Sequence, residues 1–145
     1  MAVKVKSITL WRKQLENKTG VLAQTLEPLA KAGTDLLVVM GYRHAGDDTR
    51  AAVELYPIAS KKSVDVAQQA GLAASSIPTL LVEGDNRKGL GYSITQAIAE
   101  SGVNMAFLVA QVVGRRYSAV LGFESETDAK TAAALIKQAT AKKKK

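Results

Sequence analysis

Apolar residues recur along this chain with two alternating periods. From Gly20 onward they fall at Leu22, Leu26 and Leu29 and close on Gly33, the spacing of one helix face. The same stripe returns at Leu90, Ile94 and Ile98 and closes on Ser101. Residues 3 to about 15 and 79–83 carry the β-branched and apolar side chains of strands. Residues 36–42 and 105–113 are short buried-strand runs, each followed by a hairpin tip (AGDD, then GRR) and a third strand over 51–58 or 118–123. Second helices are predicted over about 60–70 and 126–140. The order strand, helix, strand, strand, helix appears twice. It predicts an α+β chain of two tandem ferredoxin-like βαββαβ modules, with antiparallel sheets covered by helices on one face.

Two features strain that pattern. Pro28 falls inside the first helix, where proline removes a backbone hydrogen bond at a cost of about 3 kcal/mol. Its counterpart is Ala97, so the proline reads as a local kink. A βαββαβ module also needs a fourth strand. The first copy can borrow residues 74–77, but the second has only AKKKK after its last helix. Its fourth strand is either missing or supplied by the N-terminal segment beginning at Val3. The predicted division is a first module over 1–73, a second over 74–140, and a disordered lysine tail over 141–145.

The duplication is visible in the residues themselves. ENKTG ends at Gly20 and DNRKG at Gly89, an offset of 89 − 20 = 69. LAKAGTD and IAESGVN keep that offset at Gly33 and Gly102. Further on, residues 51–53 align best with 118–120, an offset of 67 that places two extra residues of the first copy between His44 and Asp48. Insertions cost least at such a hairpin tip.

The matched loops are the candidate site. A glycine before a helix permits close approach of the backbone and leaves first-turn N–H groups free. With the positive end of the helix dipole, those donors suit a carboxylate or phosphate. Asn17 and Asn86 offer both a donor and an acceptor, as a zwitterion requires, and Lys18 and Arg87 add positive charge. Asn and Gly are equally ordinary turn and helix-start residues.

ENKTG-V-L followed by LAKAG-T-D-L, and DNRKG-L-G followed by IAESG-V-N-M, resemble ACT domains, small-molecule-sensing modules attached to many enzymes of amino-acid metabolism. The resemblance covers nearly the whole chain, from about Val3 to Thr140. It implies that the signature glycine opens the first helix and that effector amino acids lie where two modules meet, near the loop between strand one and helix one. The implied ligand-binding residues are Asn17, Thr19, Gly20, Val21 and Leu22 in the first copy and Asn86, Lys88, Gly89, Leu90 and Gly91 in the second. The second strand adds positions near Leu37 and Ala106. The proline common before the signature glycine is replaced here by Thr19 and Lys88.

Composition narrows the function classes. The 145 residues are 47% hydrophobic and 23% charged, a globular balance. Apolar runs fall far short of the roughly 20 residues of a membrane helix, and the start lacks a secretory h-region. With no cysteine and one histidine, no thiolate metal site or nucleophile–base pair can be assembled. No catalytic residue, metal or cofactor is therefore expected, and a cytoplasmic location is the default. The net charge is +7, of which four charges are Lys142 to Lys145, leaving +3 on the rest, so specific nucleic-acid binding is not expected.

RKGLGYSI at 87–94 imitates the aromatic strand motif of RNA-recognition modules, which share this element order. It precedes a helix rather than occupying a third strand, where bases stack. His44 with Asp47 and Asp48 reads as a solvated turn rather than an ion site. Tyr42, Tyr56, Tyr92, Tyr117 and Trp11 read as core or interface residues. The expected role is a regulatory protein that binds an amino acid or similar metabolite, is homodimeric, and acts on an enzyme or regulator partner. The competing reading is a structural oligomerisation module that binds no ligand.

Overall fold

A computed structural model describes residues 3–141; Lys142–Lys145, the predicted disordered tail, lie outside the described residues. Its contacts fall into two compact units, one of residues up to Ile8 together with those from Ile77 onward, the other Thr9–Ser76. We call Thr9–Ser76 the first module and the other unit the second.

The first module contains β2 (Trp11–Glu16), α1 (Val21–Lys31), β3 (Val38–His44), β4 (Asp47–Tyr56), α2 (Lys61–Gln69) and the short β5 (Ala73–Ala74). Its antiparallel sheet has the order β3-β4-β2-β5. The second is built from β1 (Lys4–Ile8), β6 (Thr79–Asp85), α3 (Leu90–Glu100), β7 (Met105–Val113), β8 (Arg116–Phe123) and α4 (Glu126–Thr140), in the order β1-β6-β8-β7. In each module two helices cover one sheet face. Leu29 of α1 and Ala67 of α2 pack with Leu15, Val53 and Leu55; Ile94 and Ile98 of α3 pack with Ala132 and Ile136 of α4 over Val82 and Leu121. Alternation along the strands places these apolar side chains on the helix side.

The sequence reading needs correction in several places. Residues 3–15 are not one strand. The segment breaks at Thr9 and Leu10, sending β1 to pair with β6 and β2 to pair with β4 and β5. The N-terminal segment is thus the fourth strand of the second module, where Val5 opposite Val82 adds to the helix-side core. The division at 73/74 changes accordingly: residues 3–8 join the second module and 74–76 the first. The borrowed strand of the first module is Ala73–Ala74, not 74–77. Ala141, assigned to the tail, is the C-cap of α4.

The repeat offset past the hairpin is also different. Glu16 faces Arg50 and Asp85 faces Arg116, so β4 and β8 are related by 116 − 50 = 66 and the first copy carries three extra residues, not two. A slip of one residue would turn every side chain to the other sheet face. The register makes Ala51 the counterpart of Tyr117, both on the helix side.

Pro28 remains inside α1, as read from sequence. The helix closes as glycine predicts: Gly33 at φ +79° directs its N–H to Ala30 O at 3.0 Å, and Thr34 N donates to Leu29 O at 3.0 Å. Gly102 repeats the conformation at φ +80°.

Candidate functional site

The two helices of each module begin differently. Ser60 caps α2, its side chain accepting from Ser63 N at 3.1 Å, and Ser125 caps α4 by accepting from Asp128 N at 3.0 Å. Helices α1 and α3 start instead from Gly20 and Gly89, left-handed at φ +85° and +79°, with no side-chain cap. A Cβ at either glycine would meet nothing within 4 Å, so backbone conformation alone selects glycine here. Val21 N and Leu90 N turn back to Lys18 O and Arg87 O at 3.3 and 3.2 Å. Among the described residues, the N–H groups of Leu22 and Ala23, and of Gly91 and Tyr92, meet no protein acceptor.

In the first module Leu22, one of these two residues, lines a hollow of about 290 Å³. Asn17, Gly20, Val21 and Leu22 of the predicted set line it, as does Lys18. Thr19 does not. Arg43, Gly41 and Ala51 line it too and were missed by the sequence reading. Gly41 leaves space for Leu22, whose Cδ2 would lie 3.5 Å from a Cβ there. The missed residues come from the hairpin end of β3 and the adjoining part of β4, because the turn follows Glu16, opposite Arg50. Leu37 is not brought to this hollow. It precedes β3, gives its N–H to Tyr56 O at 2.8 Å, and leaves its side chain 66% exposed. The signal for the correct positions was the pairing register, which needs the three-residue insertion placed correctly.

Two cations flank the hollow without a buried acid to neutralise them. Lys18 Nζ lies 3.6 Å from exposed Glu16, and Arg43 lies 3.8 Å from exposed Asp48. Exposed pairs of this kind are worth about 0–1 kcal/mol and exchange easily for a ligand anion. Asn17 is less available: its Nδ2 donates to Asp48 O at 2.6 Å and its backbone N–H to Thr49 O at 2.9 Å. The asparagine therefore ties the turn to the hairpin, with its side-chain oxygen left as an acceptor. Asn86 keeps the backbone bond, to Arg115 O at 2.8 Å.

The corresponding region of the second module differs. Leu90 is buried, Gly91 stands where Leu22 does, and the buried Tyr117 takes the place of Ala51. The Tyr117 hydroxyl would lie 3.6 Å from a Cβ on Gly91, so the ring runs from β8 to the start of α3. Burial raises the Tyr117 pKa above its usual 10.0. Lys88 and Ala106 are exposed, and Ala106 sits at an irregularity of β7 beside Phe107.

The β3–β4 hairpin is held by Asp47, whose Oδ1 accepts from Thr49 N and Thr49 Oγ1 at 3.0 and 2.6 Å. These bonds lower the Asp47 pKa. Among the described residues no group of three His, Asp or Glu side chains is placed to hold a metal ion, and no helix is long and apolar enough to cross a membrane.

The sequence matches no protein-family model and no curated protein. Solved structures do resemble the fold. Protein BT0572 from Bacteroides thetaiotaomicron is 15% identical with a TM-score of 0.71, the match covering 92% of this chain and 98% of that one. The regulatory subunit of aspartate kinase from Thermus thermophilus, in a ligand-free form, is 14% identical at a TM-score of 0.63, with 96% and 97% covered. Escherichia coli aspartokinase III in complex with lysine and aspartate is 9% identical at a TM-score of 0.55, with 93% of this chain matching 32% of that enzyme. At such identities the likeness speaks to architecture alone, an α+β arrangement this chain shares with the regulatory subunit of aspartate kinase.

Proposed function

We propose that this chain is a non-catalytic regulatory protein that binds an amino acid or a similarly small carboxylate-bearing metabolite at its glycine turns. The observation that carries the reading is the first-module hollow, lined by Leu22 with its unpaired N–H together with Lys18 and Arg43. About 290 Å³ falls just below the roughly 300 to 1,000 Å³ of drug-sized ligand pockets, which suits a guest as small as an amino acid. The amide donors and helix dipole take the carboxylate, and the side-chain oxygen of Asn17 is an acceptor for an ammonium group. The lysine and aspartate of the aspartokinase III structure are ligands of the same chemical class. Binding shifts the population of an assembly formed with a second copy of the chain, and through it an enzyme or regulator partner in the cytoplasm.

Thermal-shift screening of the twenty amino acids tests this. A ligand at 100 times its Kd adds about 2.7 kcal/mol of stability, enough to raise the melting temperature by several degrees. Lys18→Glu, at an exposed position, should keep the fold and weaken the shift.

The second reading is an oligomerisation module without a ligand. Two observations favour it. The Asn17 amide is already spent on Asp48 O, and the outer strands β3 and β7 expose Val39, Leu108, Val109, Val112 and Val113. Association with no response to any amino acid would support it over the first.

A further inference from the structure

We infer that only the first of the two glycine turns takes a ligand, because Tyr117 fills in the second module the space that lies open in the first. The inference rests on the proposed effector role. Strand register pairs the two sites position by position: Ala51 faces Leu15 and Arg43, while Tyr117 faces Gly84 and Val112. The small residue of the first pair sits on the strand and the large one, Leu22, on the helix. In the second module the order is reversed, with Gly91 on the helix and the tyrosine on the strand. The Tyr117 hydroxyl would lie 3.6 Å from a Cβ at 91, in van der Waals contact, so the phenol reaches the helix start that Gly91 occupies. Only 6% of Tyr117 remains exposed, packed in one cluster with Leu90 and Ile94.

The cations are also placed differently. The first hollow is bordered by Lys18 of the turn and Arg43 of β3. At the equivalent places the second module has Arg87 and Val112, with Lys88 in the turn where the first has Thr19, so its outer strand offers no cation beside the turn. A duplicated sensor of this form reads one effector molecule per chain, and its second turn holds the module together with a built-in phenol in place of a guest.

The test uses two probes. In the unmodified protein, acetate, the smallest carboxylate carrying a methyl group, is titrated while amide resonances are followed by nuclear magnetic resonance. Saturable shifts at Leu22 and Ala23, without shifts at Gly91 and Tyr92, are expected. Equal shifts at both turns would overturn the inference and leave the proposed function standing; shifts at neither would remove both. In the Tyr117→Ala variant, p-cresol, the excised side chain, should bind at one molecule per chain and perturb Gly91 and Ile94, while the unmodified protein ignores it. A folded Tyr117→Ala chain indifferent to p-cresol would also overturn the inference. If that variant does not fold, the acetate titration decides alone.

Discussion

Gly20 and Gly89 carry the same conformational demand for different ends. Both sit at positive φ with open space around the missing Cβ, so an alanine would add only backbone strain. Gly20→Ala and Gly89→Ala should each cost about 1 kcal/mol, read as a lower midpoint in urea denaturation. Tyr117 supplies a pH dependence. Its folded pKa lies above the unfolded value, so the unfolded chain loses the proton first as pH rises. The stability this residue contributes is complete below 10.0 and is lost as pH climbs from there through the folded pKa. Tyr42 acts in the same direction, its pKa raised first by burial and then by the hydroxyl's bond to Glu54. Urea denaturation on either side of pH 10.0 should therefore show an alkaline loss, smaller in Tyr117→Phe. The glycine turns were legible in the sequence because glycine has few reasons to recur before a helix. The plug was not: Tyr117 reads as any core tyrosine until register places it opposite Gly84 and Val112.

At the level of elements, periodicity located all four helices and the strands of both hairpins. It could not divide the N-terminal segment. Residues 3–15 carry one continuous strand-like composition, and only pairing shows that Lys4–Ile8 and Trp11–Glu16 enter different sheets. Removing residues 3–8 leaves β6 without its outer partner and uncovers core around Val82. The expected result is faster amide exchange in β6 and β8, with β2 and β4 keeping their protection. The helix layer contributes more per side chain. Ile136 of α4 is fully buried, so Ile136→Ala should cost about 2–5 kcal/mol in chemical denaturation. Composition also misjudged the hairpin insertion by one residue, because Ala51, Ala52 and Val53 resemble Ser118, Ala119 and Val120 more than their true partners, Tyr117, Ser118 and Ala119. Side-chain likeness cannot detect a change of face, whereas cross-strand pairing fixes it.

For the whole molecule, the repeat sets two glycine turns of one conformation in different surroundings. The first module keeps a hollow at its helix start, and the second fills the matching space from its own sheet. Its likeness to the regulatory subunit of aspartate kinase concerns architecture. The measurement that bears most directly on the account is calorimetric titration of the intact chain with each of the twenty amino acids, repeated with Lys18→Glu. At least one amino acid should bind the unmodified protein at one molecule per chain, with its affinity reduced by the charge reversal. Absence of binding by all twenty, or an affinity unchanged by Lys18→Glu, would contradict it.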